Sequence, residues 1–344
     1  MTIQRPGRDN ASPAAETGLI DAHGRVINYL RLSLTDRCNF RCVYCMPPDG
    51  APYMPHGQLP TYEELLRLCR LMSGLGIRCF KITGGEPLCR KDAVAFIRRL
   101  KRLPGVDGVT LTSNGTLLAP YVEELADIGV SGINFSLNSL NPEHYSAVGR
   151  TRAGPEQVLP VMAAAAKAGI TVKINVVPLR TYNEGDLRDL TRFALERGYH
   201  VRFIELMPVG LGAACAGVPP HEIRAAVERD FGPLSASYDV PGNGPADYFR
   251  VSGHAGSVGF ISAVSNKFCP RCNRIRLTSG GLLKSCLHRD AGVELKPLLR
   301  GGANDAAIVK VLRRAVMEKP AGHTFGDLAS EGSRQHFLMH SIGG

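Results

Sequence analysis

Three cysteines fall within one short stretch, LSLTDRCNFRCVYCM, where Cys38, Cys42 and Cys45 are spaced C-x3-C-x2-C. Thiolates gathered in one loop are soft ligands, suited to zinc or to an iron–sulfur cluster. Tetrahedral zinc would want a fourth protein ligand, and no cysteine or histidine follows at zinc-ribbon spacing. A cubane held by three thiolates leaves one iron with a position to offer. The spacing therefore predicts a catalytic cluster rather than a structural one.

A second triplet, Cys269, Cys272 and Cys286, lies in FCPRCNRIRLTSGGLLKSCL. Read alone it fits a zinc ribbon with His288 as fourth ligand. Beside an open first cluster, a second open cluster is the better reading. Arg274 and Arg276 alternate along the strand between these cysteines and so share a face. Two guanidiniums there suit a phosphate or a carboxylate, against the plain alternative of exposed arginines. Arg31 and Lys173 stand in otherwise apolar strands, where a cation is costly unless paired. Either they hold a polyphosphate or they bridge to Glu86 or Glu205. The word TGGEP (83–87) puts glycines at a strand end, where backbone can approach a ligand closely, or simply make a tight turn. Ser136, Asn138 and Met207 also sit just past strand ends. The scattered Cys69, Cys79, Cys89 and Cys215 read as small buried or tolerated thiols.

These residues need a frame that collects them. The strand words YLRLSLT, CFKIT, GVTLT, INFSL, TVKINVVP and HVRFIELMP alternate with helical stretches in units of about 30 residues, the signature of parallel βαβ units. Six such units fall two short of a full barrel and fit a partial (βα)6 TIM-like barrel, an α/β fold. The chemically suggestive words all follow strand ends, the face where such barrels gather their active sites. The expected division is a polar tail over residues 1–26, the barrel over 27–235, and a second-cluster and substrate-binding segment over 236–344. Thr61 and Glu64 predict a capping box on the first helix, and Gly280–Gly281 predict a hairpin turn.

Composition narrows the class. No run of roughly 18 apolar residues occurs, so no membrane span is expected. The first residues lack an apolar secretory core, so a cytoplasmic, reducing setting is expected, with metal-bound rather than disulfide cysteines. The net charge of +10 favours anionic partners. The basic residues are dispersed, without runs or interleaved aromatics, so a solvated basic surface is an equal reading and charge alone does not choose between nucleic acid, nucleotide and acidic protein.

Cys38-x3-Cys42-x2-Cys45, with Tyr44 before the last cysteine, resembles the signature of the radical S-adenosylmethionine superfamily. With the C-terminal triplet, the NRIRL segment and the final Gly343-Gly344, the chain is similar to the family that cyclises GTP in molybdenum-cofactor biosynthesis, from about Asn28 onward. The resemblance implies a lyase with two [4Fe–4S] clusters, the first binding S-adenosylmethionine and generating a 5′-deoxyadenosyl radical, the second meeting guanine. It implies cosubstrate contacts at Tyr44, Gly85, Ser136 and Met207. It implies GTP contacts at Arg31, Lys81, Thr112, Lys173, Arg274 and Arg276. The two arginines of the hairpin and the Gly343-Gly344 tail take catalytic roles. Further implied partners are a flavodoxin- or ferredoxin-like electron donor, the cyclic pyranopterin monophosphate synthase that follows, and a second copy in a homodimer. Lys81 stands where the family has arginine, Asn138 where it has aspartate, and KFCPRC is a variant spelling. Competing readings are a two-cluster enzyme acting on a peptide and a zinc-bearing nucleic-acid-binding protein.

Overall fold

A computed structural model describes residues 18–325 and 338–343. A short hairpin comes first, β1 (Leu19–Ile20) and β2 (Val26–Ile27). This hairpin occupies the last part of the stretch expected as a polar tail, and residues 1–17 of that tail lie outside the described residues. The turn carries its own cause: Asp21 Oδ1 accepts from the backbone N–H groups of His23 and Arg25, and Gly24 takes φ +74°.

The βα units follow as β3 (Tyr29–Ser33), α1 (Tyr62–Gly74), β4 (Cys79–Thr83), α2 (Ala93–Lys101), β5 (Gly108–Ser113), α3 (Val122–Ile128) and β6 (Gly132–Ser136). After β6 come α4 (Pro142–Gly149), α5 (Leu159–Lys167), β7 (Thr171–Val176), α6 (Leu187–Glu196) and β8 (His200–Ile204). Strands β3 to β8 pair in sequence order, all parallel. The expected capping box is present: Thr61 Oγ1 accepts from Glu64 N, and Glu64 Oε2 accepts from Thr61 N. The periodicity missed α4, whose signal was the Asn141-Pro142 pair: Asn141 caps it and proline opens it.

Beyond α7 (Pro220–Phe231) the chain returns to the same sheet. Strands β9 (Leu234–Ser237), β10 (Asp247–Val251) and β11 (Ser257–Ile261) form a meander, and β11 lies parallel on β8. On the opposite edge β12 (Arg274–Leu277) lies parallel on β3, and β13 (Leu282–Lys284) returns antiparallel as the Gly280–Gly281 turn predicted. Strand β14 (Val293–Glu294) and helices α8 (Lys296–Arg300) and α9 (Asp305–Met317) complete the described elements. The result is an open, twelve-stranded sheet with a (βα)6 centre, both of whose edges are covered by the C-terminal part.

The helices bury one apolar face each against the outer side of the sheet, around Phe80, Phe96, Ile133 and Phe135. Alternation along each strand then leaves the other row of side chains facing inward. Removing the cap of α1 tests how independently this layer is held. Thr61→Ala should lower unfolding free energy by about 1 kcal/mol in denaturant titrations with an unchanged slope. No measurable loss would show that packing alone holds the helix end.

Candidate active site

Strand register assembles the inward row. Arg276 pairs with Arg31, Arg31 with Lys81, and Lys81 with Thr110, so three cations stand abreast on neighbouring strands. A second row runs Thr112, Asn134 and Lys173. Arg202, opposite Asn175 on the next strand, adds a fifth cation and donates to the Asn175 amide oxygen. All of these border one cavity of about 440 Å³. The sequence reading named Arg31 and Lys173 but missed Arg202, although HVRFI carries the same signal of a cation in an apolar strand.

The alternative of internal salt bridges does not hold for the two named carboxylates. Glu86 accepts from Ser113 Oγ (2.9 Å) and the backbone N–H of Asn114 (2.8 Å). Glu205 accepts from the N–H groups of Val264 and Ser265. The cations therefore crowd one another. Burial lowers the pKa of Lys81 well below its ordinary value, and Arg202, Arg31 and Lys173 push the same way. Burial, then Arg202, brings Lys173 to about 7. Burial likewise lowers Arg31 to about 10. The ammonium of Lys173 is held by the carbonyl of Pro241, in the glycine-rich loop before β10. Arg31 and Arg276 both donate to the carbonyl of Gly343, at 2.9 and 3.3 Å. Gly343 takes φ +75°, and a Cβ there would meet Thr83 Cγ2 at 2.8 Å, so only glycine fits. Gly344 lies outside the described residues.

The first triplet sits on the loop after β3. Its backbone is braced by α4: Arg41 N donates to Gly149 O, Val43 N to Val148 O, and Phe40 meets Tyr145 edge-on. The turn itself closes through Cys45 N donating to Cys42 O at 2.8 Å. The glycines of TGGEP have a specific reason to be glycines. Gly85 N donates to Thr35 O, Glu86 N to Arg37 O, and a Cβ on Gly85 would sit 2.3 Å from the Arg37 carbonyl oxygen. What approaches Gly85 closely is thus the cysteine loop's own backbone. Asn138 donates to the Tyr44 hydroxyl (3.2 Å) while accepting from Val177 N (3.0 Å). An aspartate there could only accept, so the hydroxyl would have to donate instead.

Both triplets border the same cavity, as do Tyr44, Gly85, Ser136 and Met207. All six cysteines are free thiols. Burial raises the thiol pKa of Cys38 to about 12 and of Cys42 to about 11. Burial also acts on Cys272, but Arg274 and Lys319 outweigh it and bring that thiol down to about 7. Among the described residues no three His, Cys, Asp or Glu side chains converge on a point that would hold a single ion. The fit to iron–sulfur groups rests on the donors, two sets of three soft thiols bordering one cavity. His288, the zinc-ribbon candidate, faces the Thr324 hydroxyl at 2.9 Å.

Known proteins match the chain over most of its length. Residues 32–194 match the profile of the radical SAM superfamily, and residues 199–325 match that of Molybdenum Cofactor Synthesis C. The GTP 3′,8-cyclase of Moorella thermoacetica is 43% identical over 94% of this chain and 99% of its own length. That of Syntrophomonas wolfei is 41% identical over 95% of this chain and the whole of its own. Among solved structures, Streptococcus suis SuiB bound to S-adenosylmethionine shares the fold, with a TM-score of 0.63 at 15% identity over 90% of this chain and 76% of its own.

The state of Lys173 has a measurable consequence. Its folded pKa lies below the 10.5 of a free lysine, so the unfolded chain binds the extra proton from about pH 7 to 10.5. This group therefore makes the ligand-free protein more stable as pH rises through that window. An anion beside the ammonium reverses the shift. Inorganic tripolyphosphate should bind at pH 8 with net proton uptake, read by calorimetry in buffers of different ionisation heat. Lys173→Met should abolish part of that uptake, and binding without uptake would show that Lys173 does not meet the anion.

Proposed function

This chain belongs to the GTP 3′,8-cyclase family of the radical SAM superfamily, and from that premise we propose how its residues divide the reaction. The enzyme converts GTP to 3′,8-cyclo-7,8-dihydroguanosine triphosphate, the first step of molybdenum-cofactor biosynthesis. One observation carries the division of labour: the two cysteine triplets and the cation rows border a single cavity.

Cys38, Cys42 and Cys45 would hold the [4Fe–4S] cluster of the superfamily, which with S-adenosylmethionine supplies a 5′-deoxyadenosyl radical. Tyr44, Gly85, Ser136 and Met207 surround the cosubstrate in this reading. For Gly85 the support is indirect, since its lack of a side chain lets the cysteine loop pack on TGGEP. Cys269, Cys272 and Cys286 would hold a second [4Fe–4S] cluster that anchors the purine. Arg31, Lys81 and Lys173, joined by Arg202, bind the triphosphate, which neutralises cations that otherwise repel one another. Thr112 contributes a hydroxyl beside Asn134. Phe40 and Tyr145 line the cavity near the first triplet and help exclude water from the radical.

Arg274 and Arg276 act on the reacting nucleotide, and the Gly343–Gly344 tail enters the same space. Its backbone carbonyl already meets Arg31 and Arg276. The radical-generating barrel over 27–235 and the substrate-anchoring segment over 236–344 are part of this reading. So are a flavodoxin- or ferredoxin-like donor, transfer of product to cyclic pyranopterin monophosphate synthase, a homodimer and a cytoplasmic setting. Among the described residues no helix is long and apolar enough to cross a membrane.

Anaerobic incubation with GTP, S-adenosylmethionine and a strong reductant should yield 5′-deoxyadenosine and a cyclised GTP product, both lost in Cys38→Ala. Deoxyadenosine without a GTP-derived product would overturn the substrate assignment. Zinc in place of iron in anaerobically purified protein would overturn the cluster reading. Deleting Gly343 and Gly344 should leave cluster content and GTP binding near wild type and stop cyclisation. Retained turnover would show the tail to be inert.

A further inference from the structure

The N-terminal hairpin, which the sequence presents as the end of a polar tail, reaches across the molecule to the C-terminal cysteines. Arg25 and Asp21 are both buried, with Arg25 Nε donating to Asp21 Oδ2 at 2.6 Å. The rest of the Arg25 guanidinium is spent on three carbonyls far along the chain. Nη1 donates to Cys269 O (2.8 Å) and Ala321 O (3.0 Å), and Nη2 donates to Pro320 O (2.6 Å). One planar group therefore ties a cysteine of the second triplet to the segment after α9.

That segment ties the other two cysteines. Lys319 is buried, and its ammonium donates to Arg274 O (2.9 Å) and Ser285 O (2.6 Å). Ser285 immediately precedes Cys286, and Arg274 stands two residues after Cys272. Gly322 packs on Cys269, where an added Cβ would lie 3.6 Å from Cys269 Cβ. Three stretches distant in sequence thus meet at two cations whose donors fit only one arrangement of the backbone. Both of these acceptors of the lysine are neutral carbonyls, so its charge adds to the field at the Cys272 thiol.

We propose that Asp21, Arg25 and Lys319 form a clasp that positions the second cysteine triplet, so that the N-terminal hairpin is a working part of the substrate-anchoring site. Asp21 orients the guanidinium, Arg25 fixes Cys269 and residues 320–321, and Lys319 carries that placement to the strands bearing Cys272 and Cys286. These are positioning residues, acting through the cysteines and not on the substrate. The inference rests on the reading of Cys269, Cys272 and Cys286 as cluster ligands.

The test uses the full chain with Cys38, Cys42 and Cys45 changed to alanine, which isolates the second cluster. Reconstituted anaerobically, this background should hold one [4Fe–4S] cluster whose reduced-state electron paramagnetic resonance spectrum shifts on adding GTP. If it holds none, the second-cluster reading itself fails. With that reading intact, Arg25→Gln and Asp21→Asn should weaken cluster retention against a chelator by about 10–100-fold, the usual effect of losing a partner behind a metal ligand. They should also abolish the spectral shift with GTP. Arg25→Lys keeps the charge but cannot span three carbonyls, so it should restore retention only in part. In the otherwise wild-type chain, the same substitutions should spare the first cluster and its uncoupled cleavage of S-adenosylmethionine. Full retention and an unchanged GTP response in both Arg25→Gln and Asp21→Asn would overturn the proposal. So would loss of both clusters together, which would mark the pair as a support of the whole fold. Lys319→Met separates these outcomes independently, because it leaves the hairpin untouched and should reproduce the selective loss.

Discussion

A six-stranded parallel sheet curled toward a barrel has two unpaired edges, and everything distinctive about this molecule follows from how they are covered. An exposed row of N–H and C=O groups must find partners. Here β12 supplies them to β3 and β11 supplies them to β8. Because β12 lies between Cys272 and Cys286, covering that edge also carries the second triplet to the cavity. Because β12 runs parallel to β3 in the observed register, Arg276 falls beside Arg31 and Lys81. Backbone hydrogen bonding, with no sequence specificity of its own, thus decides which charged side chains become neighbours.

The neighbours so chosen repel. Burial first, and neighbouring cations after it, lower the pKa values of Lys81, Lys173 and Arg31, so holding these charges in the cavity wall costs the fold. Such an arrangement persists in a folded protein because other burial outweighs it, here the apolar layer between sheet and helices. An anion placed beside these cations would offset that cost. The first triplet shows the complementary logic: burial pushes the thiols of Cys38 and Cys42 up, which favours the neutral form, so a metal bound there would have to displace the proton.

Much of this was legible in the chain. The partial barrel, the capping box at Thr61, the hairpin at Gly280–Gly281 and the inward-facing Arg274 and Arg276 follow from local periodicity and turn chemistry, which act over a few residues. Both triplets were legible because cysteine spacing is rarely accidental. What local reasoning missed was non-local. Helix α4 is short, and its value lies in bracing Arg41 and Val43. Strands β9 to β11 sit in a glycine-rich region whose extended structure comes from pairing with β8. The hairpin at Asp21–Arg25 looks like a tail because its partners lie some 250–300 residues further on. Arg202 was readable and was passed over. At Gly85 the body that approaches closely is the chain itself, the Arg37 carbonyl of the cysteine loop.

The carbonyls of Pro241 and Gly343 on Lys173, Arg31 and Arg276 carry one more consequence. In the ligand-free protein these cations are already solvated, by the protein's own backbone in place of water. An anion arriving at these cations would have to exchange with those carbonyls, neutral oxygens leaving as anionic ones arrive. The net enthalpy is the difference between two sets of hydrogen bonds, smaller than a count of new contacts would suggest. Each released carbonyl also frees a glycine-containing segment to move. Occupancy at these cations would then be coupled to the placement of the chain terminus, because Gly343 sits on two of them.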